Sequence, residues 1–339
     1  MGQKTKITIQ DIARKAGVSP STVSRTMRGN AYVEADKRES VLAAVAELNY
    51  QPNVFAQSLA SGQSLTIGVV TQNFGSPFYD GILSGILQTL EATPYSPIFG
   101  DGRWQTAVEK RAVQTLINRK VDGLILVGGL IPEEDILAIA RQTHLIVVGR
   151  HIAQISEQCL YVDNQLASYQ ATRYLLEMGH RHIAHATATK YFGEVVPDIY
   201  LRYQGYVQAL AEFGIEPDPQ LVVEGDLSRQ SGLMALETLL SRERPFTAIF
   251  AANDQMAVGL RLGLHRHGLR VPEDVSLIGF DDEPTSAFLT PPLTTVQQPA
   301  VELGEAAASA IMDLMKGDLN KFDAFQAKLI IRETVARWR

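Results

Sequence analysis

The chain has 339 residues, more than twice the ~150 residues of a typical single domain, so it is read as two or more domains. With 45% hydrophobic and 20% charged residues it is too apolar for a disordered chain and can bury substantial cores. One cysteine, Cys159, excludes an internal disulfide framework and a multi-cysteine zinc site, and the net charge of −6 excludes a uniformly basic nucleic-acid coat.

That net charge hides a polarity. Residues 1–33 carry Lys4, Lys6, Arg14, Lys15, Arg25 and Arg28 against Asp11 alone, which points to a polyanion-binding head on an acidic body. No segment approaches the ~18 apolar residues of a membrane span, and the start has no apolar run of signal-peptide length. A cytoplasmic protein without a membrane partner is therefore expected.

In chain order, Thr8 with Asp11 three positions on reads as a capped helix start, and Ile9, Ile12, Ala13 and Ala16 repeat at helical spacing up to Gly17. Ser19 can cap a second helix with Pro20 at its first position, running to Arg28 and stopping at Gly29. A third helix, about 36–49, places Val41, Leu42, Val45 and Leu48 on one face. Two helices joined by a tight turn at Gly17 define a helix-turn-helix, whose second helix enters the major groove. Pro20, Ser21 and Arg25 then face base edges, while Ser19, Thr22 and Ser24 hold phosphates. Arg25 is the specific reader, because its planar fork can span O6 and N7 of one guanine. The competing reading of the head is a three-helix protein-interaction module.

After Tyr50-Gln51-Pro52, Asn53 caps a segment, 54–61, too short to be a stable isolated helix. From Leu65 the runs LTIGVV, YSPIF, DGLILV, LIVVG and CLYV, then HIAHA, LVVEG, TAIFA and VSLIGF, alternate with helical stretches such as 201–213 and 255–267. This βα alternation predicts parallel sheets flanked by helices, and its length predicts two lobes. Polar residues collect at the expected carboxyl ends of the strands: Gln72-Asn73, Asp101, Arg150, Asp163-Asn164, Asp226, Asn253-Asp254 and Asp281-Asp282. Such groups can engage vicinal hydroxyls, and Phe78 and Tyr79 can stack on a sugar ring. Each of them can equally serve as a helix cap or turn residue.

The segments TIQDIARKAGVSPSTVSRTMRG and LAAVAELNYQPNVFAQSLASGQS resemble the head and linker of the lactose/galactose repressor (LacI/GalR) family, and the likeness extends over essentially the whole chain. The resemblance implies a sequence-specific DNA-binding regulator, a repressor, controlled by a small effector, a sugar or sugar derivative. It implies a homodimer on near-palindromic operator DNA, a dimer contact on the body, and lobe rearrangement coupled to a hinge helix. It places Leu59 as a minor-groove wedge, whereas the residues alone also allow a packing role in an ordinary linker. Thr8, Asn53 and Ala56 complete the expected DNA-facing set.

For the body the resemblance implies the periplasmic sugar-binding fold, with Arg202 as effector arginine, Asn253 as pocket asparagine and Asp281 as hydroxyl-binding carboxylate. It puts Phe78 and Tyr79 at the stacking position and Leu227 where some members carry an aromatic. Arg150 is either a second pocket cation, suited to an acidic sugar, or an ion-pair residue. The expected fold is thus α/β: a helix-turn-helix domain over 1–50, a hinge over 51–62 and a two-lobed body over 63–339. The lobes are expected as 63–163 with 292–323, and 164–291 with 324–339.

Neither a phosphate-cradling G-x-x-x-x-G-K-[ST] loop nor a strand-linked G-x-G-x-x-G occurs. His180, His182 and His185 match no zinc spacing, and Asp281-Asp282, as neighbours on a strand, point apart. No enzyme, metal or cofactor is expected. A solute-binding transport protein lacks its signal segment, and the C-terminal 318–339 reads as a strand with a basic tail rather than a tetramerising heptad helix.

Overall fold

The computed structural model describes residues 7–27, 33–50, 62–191, 194–318 and 322–338. The chain divides into two compact units, 1–64 and 65–339.

In the first unit, α1 (Ile9–Ala16), α2 (Pro20–Met27) and α3 (Ala35–Glu47) enclose a small core of Ile12, Ala13, Val23, Val41 and Ala44. The backbone N–H of Thr8 donates to Asp11 Oδ2 at 3.0 Å, which satisfies a donor left open by the helix start. Gly17 closes α1 at φ 67°, a conformation that costs a side-chain-bearing residue energy and costs glycine none. Val45 and Leu48 pack on the core as expected, but Leu42 is 51% exposed. Three and four residues from Val41 are Ala44 and Val45, whereas the adjacent Leu42 is turned about 100° away. The expected end of α2 at Arg28 and Gly29, and the whole of 51–61 with Asn53, Ala56 and Leu59, lie outside the described residues.

The second unit contains two sheets. The first, in order β2-β1-β3-β4-β5, is parallel throughout and comprises β1 (Thr66–Thr71), β2 (Ser96–Asp101), β3 (Gly123–Val127), β4 (His144–Val148) and β5 (Cys159–Leu160). The second, in order β13-β12-β11-β10-β6-β9, uses β6 (Ile183–Thr187), β9 (Val222–Glu224), β10 (Ala248–Ala251), β11 (Ser276–Asp281), β12 (Thr294–Gln297) and β13 (Lys328–Ile330). Among the described strands of this sheet only β13 runs antiparallel, and β7 (Lys190–Tyr191), which follows β6, pairs antiparallel with β8 (Glu194–Val195). The inner strands are buried on both faces, which is why they read as continuous apolar runs rather than alternating ones.

The lobe boundary expected at residue 292 is corrected. β12 pairs with β11 in parallel, Ile278 opposite Thr294, so the chain remains in the second lobe through Gln297. It then crosses back as α11 (Ala300–Lys316), which packs on β3, β4 and α4 (Pro77–Glu91) of the first lobe. The α4–α11 contact has almost no spare volume: a Cβ on Gly304 would stand 2.0 Å from Ile82 O, and one on Gly85 would stand 2.1 Å from Val301 O. Gly304→Ala is expected to force the helices apart and cost about 1–3 kcal/mol. A urea midpoint equal to that of the parent chain would contradict that packing account.

The remaining helices are α5 (Thr106–Asn118), α6 (Glu133–Ala140), α7 (Asn164–Glu177), α8 (Pro197–Glu212), α9 (Arg229–Ser241) and α10 (Asp254–Arg266). The connections bring the carboxyl ends of β1, β2, β6, β9, β10 and β11 to one seam between the sheets.

Candidate functional site

A cavity of about 480 Å³ opens at that seam. The first lobe supplies Asn73 and Ser76 from the loop after β1, Phe78 and Tyr79 from the first turn of α4, and Trp104 from the turn after β2. The second lobe supplies Asp198, Ile199 and Arg202 from α8, Asp226 to Gln230 around the start of α9, Asn253 and Gln255 at the start of α10, and Asp281 at the end of β11. A larger depression, about 730 Å³, lies at Val258–Arg270. It adjoins the amino end of β11, opposite the edge where open parallel sheets bind ligands.

Three rings form one wall. Phe78 and Tyr79 meet edge to face at 5.2 Å between centroids, and Tyr79 meets Trp104 the same way at 6.0 Å. Burial holds the Tyr79 phenol well above its usual pKa, so it remains a neutral hydroxyl.

Arg202 and Asp281 form the polar floor, with side chains 3% and 7% exposed and 3.7 Å between Nη2 and Oδ1. The Arg202 Nε donates to Asn164 Oδ1 at 2.9 Å, Nη1 donates to Ala252 O at 2.5 Å, and the guanidinium stacks 3.7 Å from the centroid of Phe280. Gln298 donates to Asp281 Oδ1 at 2.7 Å. Burial pushes the Asp281 carboxyl up to about 7 despite the neighbouring guanidinium. β11 ends with Asp281 at φ 109° and Asp282 at φ 54°, two strained positions that turn the carboxylates apart. Asp282 ion-pairs with Arg332 at 2.8 Å, so the two do not flank one bond.

Behind the floor, the fully buried Asp254 accepts from Glu283 N at 2.9 Å, Ser286 Oγ at 2.6 Å and Thr295 Oγ1 at 2.5 Å. Burial and Asp281 raise its carboxyl to about 7, and Glu283 is raised to about 7 by burial and by Asp254. Glu283 accepts from the Gln255 amide, whose oxygen accepts from Arg229 Nε at 2.6 Å.

Of the residues expected from sequence, Phe78, Tyr79, Arg202, Leu227, Asn253 and Asp281 line this cavity. Two expected residues do not, and both are corrected. Asp101 turns onto the loops after β1 and β2, accepting from Asn73 N at 3.1 Å and Arg103 N at 2.9 Å. Arg150 donates to Ile131 O at 2.6 Å, satisfying a carbonyl of its own lobe. Both lie at strand ends, but strand-end position does not fix side-chain direction. Asn253 lines the cavity while capping α10, with Oδ1 accepting from Met256 N at 2.9 Å and Nδ2 donating to Leu227 O at 3.0 Å.

Asp198 and Trp104 had not been singled out. Asp198 carries a readable signal, since it precedes Arg202 by four and shares its helix face. Trp104 carries a weaker one: it is buried only because Arg103 and Trp104 both adopt φ near 55°, in a turn held by Gln72 Oε1 accepting from Trp104 N at 2.9 Å. The histidines disperse: His180 bonds Thr247 Oγ1 and Ala336 O, while His185 stacks between Tyr206 and Phe250.

In the first unit, Ser19 Oγ accepts from Thr22 N at 3.2 Å and lies 2.8 Å from Ser21 Oγ and 2.9 Å from Thr22 Oγ1. Its hydroxyl thus caps α2. Thr8, Pro20, Ser21 and Arg25 are exposed and Ser24 is half-buried, so α2 presents a polar start and a cationic last turn.

Residues 8–53 match the pattern of bacterial regulatory proteins of the lacI family, and residues 172–335 match a periplasmic binding protein-like domain. The chain is 35% identical over 316 residues to the HTH-type transcriptional repressor CytR of Escherichia coli K12, covering 93% of this chain and 92% of that one. The chain belongs to the LacI family.

Among solved LacI-family structures, that of the lac repressor dimer bound to operator and the anti-inducer ONPF superposes with a TM-score of 0.87 at 30% identity, over 98% of this chain and 100% of that one. A CelR–cellobiose complex superposes with a TM-score of 0.70 at 32% identity, over 97% and 99%. As a LacI-family member the chain is a DNA-binding transcriptional regulator and not an enzyme. Its fold is the α/β arrangement expected, with a helical head and a body of two parallel-sheet lobes. No described helix is long and apolar enough to cross a membrane.

Proposed function

We propose that this regulator is a cytoplasmic homodimeric repressor that reads a near-palindromic operator and is switched by a carbohydrate held in the interlobe cavity. The observation that carries the effector reading is the cavity itself, where an arginine–aspartate pair faces three aromatic rings across two lobes. Rings match the apolar face of a sugar, and a guanidinium, carboxylates and a carboxamide match its hydroxyls. The complex of the relative CelR with cellobiose supports this chemistry. Because both lobes contribute, ligand binding and lobe arrangement are linked. If the ligand weakens operator affinity tenfold, the coupling is ~1.4 kcal/mol, and operator weakens ligand binding equally.

The direct experiment is a thermal-shift screen of the whole protein against neutral, acidic and phosphorylated sugars, followed by operator binding with each hit. A ligand at 100 times its Kd adds ~2.7 kcal/mol, a readily measured shift. Hits that leave operator affinity unchanged would defeat the switching role.

On the DNA side, the assigned roles are base contact for Pro20, Ser21 and Arg25 and phosphate contact for Ser19, Thr22 and Ser24, with Thr8, Asn53 and Ala56 completing the DNA-facing set. Leu59 is assigned the minor-groove wedge. Arg25→Ala is expected to cost ~1–3 kcal/mol on operator and much less on random DNA. Equal losses on both in a salt-matched titration would remove Arg25 from base recognition.

A further inference from the structure

We propose that the effector of this regulator carries no anionic group: the cavity takes an uncharged polyhydroxylated ligand and discriminates against phosphorylated and carboxylated sugars. This rests on the carbohydrate reading above and narrows it.

The argument starts from the cations. Two arginines, Arg202 and Arg229, line the cavity against three acidic side chains, Asp198, Asp226 and Asp281, and Arg202 already faces one of them. Arg150 donates to Ile131 O at 2.6 Å. Arg202 spends Nε on Asn164 and Nη1 on Ala252 O, while Nη2 faces Asp281 and one ring face is covered by Phe280. Arg229 donates through Nε to Gln255, which donates in turn to Glu283, so one edge of its guanidinium is held to the protein.

Helix N-termini are the other source of anion binding, and four of them point toward this seam. Each carries an acid or a cap. Asp80 in the first turn of α4 accepts from Gly75 N at 3.2 Å. Asp198 occupies the first turn of α8. At α9, Ser228 Oγ accepts from Ser231 N at 3.1 Å, and Asp226 accepts from Ser228 N at 3.0 Å. At α10, Asn253 accepts from Met256 N at 2.9 Å, and Asp254 follows in the first turn.

The carboxylates of Asp198, Asp226 and Asp281 meanwhile line the cavity itself. A phosphate brought here meets the like charge of Asp198 and Asp226, whereas hydroxyls donate to those carboxylates. The aromatic wall of Phe78, Tyr79 and Trp104 is charge-neutral and suits a ring face.

Matched pairs test this: glucose with glucose 6-phosphate, ribose with ribose 5-phosphate, and glucose with gluconate, together with neutral disaccharides including cellobiose. Calorimetry on the whole protein is expected to give at least one neutral ligand that binds at least tenfold more tightly than its anionic counterpart, a gap of ~1.4 kcal/mol or more. In a doubly substituted Asp198→Asn, Asp226→Asn protein that retains the parent circular dichroism spectrum, that gap is expected to shrink at least threefold.

An anionic member binding within threefold of its neutral partner, or more tightly, overturns the inference and leaves the carbohydrate reading standing. An unchanged gap in the double variant overturns it too, because the discrimination would then not come from these carboxylates. Silence from every neutral and anionic sugar overturns the carbohydrate reading and this inference with it.

Discussion

Arg202→Ala is expected to abolish the effector response and to destabilise the body by about 3–5 kcal/mol, because it strands Asp281 as a buried carboxylate without its counter-ion. The same change removes the donors to Asn164 Oδ1 and Ala252 O and the cation over Phe280. Operator binding is expected to become insensitive to ligand, so reporter expression would no longer respond to it. As the alanine variant sits near the stability threshold, Arg202→Lys supplies the second reading. Lysine keeps the charge, but one ammonium cannot span the three positions that the guanidinium fork occupies. It should fold, lose about 1–2 kcal/mol and bind ligand at least tenfold more weakly. Ligand affinity within twofold of the parent in Arg202→Lys would show that the fork is not the organising element of the floor.

The second large effect is a stability profile that declines with rising pH. Asp254, Asp281 and Glu283 each have a carboxyl raised to about 7 in the folded chain, against about 4 when unfolded. Between those values the folded state holds more protons than the unfolded state, so stability falls as pH rises through the window and flattens above about 7. The three groups lie along one network, so the proton release belongs to the cluster rather than to any one member. From pH 5.5 to 7, each proton so held is worth about 2 kcal/mol at 1.36 kcal/mol per unit. Below pH 4 the opposite sign takes over, since Asp274, held near 2 by Arg270, must be protonated for acid unfolding. Urea midpoints should therefore be higher at pH 5.5 than at pH 8, and Asp281→Asn should reduce the difference. A midpoint that is flat or rises toward pH 8 would mean that these carboxylates are ionised in the folded protein throughout.

The same cluster bears on function. A ligand hydroxyl donating to Asp281 favours its ionised form, so ligand affinity is expected to rise as pH increases from about 6 to 8. Asp281→Asn should flatten that rise, which binding measured in one buffer system over the range would detect.

The head was legible because its signals are local. Thr8 with Asp11, Gly17, and Ser19 ahead of Pro20 act within one helical turn, and such contacts form wherever the sequence occurs. The strands of the body were legible for a related reason: burial on both faces demands continuous apolar runs, and GLILV or AIFA can hardly serve elsewhere. Leu42 was misplaced because a single turn of helix distinguishes poorly between adjacent apolar residues.

By local pattern the site was legible only where a side chain's job is set by its own helix. Asn253 had to cap α10, and that duty placed it at the seam, whereas Arg202 was legible through the family resemblance and Asp198, four residues before it on α8, went unread. Arg150 and Asp101 had the same strand-end address as Asp281 and a different fate. Nothing within a few residues tells Arg150 that the carbonyl of Ile131 lies within its reach, or tells Asp101 that the Asn73 amide of the loop after β1 will claim it. The sequence alone determined the helix-turn-helix and the alternation of strand and helix, while the arginine, asparagine and carboxylate at the floor were named by the family resemblance. Only the tertiary structure decided that β12 belongs to the second lobe, that Trp104 completes the aromatic wall, and that three acidic side chains meet two arginines in the cavity lining. Those outcomes depend on which distant strand ends are brought face to face. That juxtaposition is fixed by the packing of α11 on α4 and the crossovers between lobes, contacts between residues too far apart in the chain to leave a local pattern.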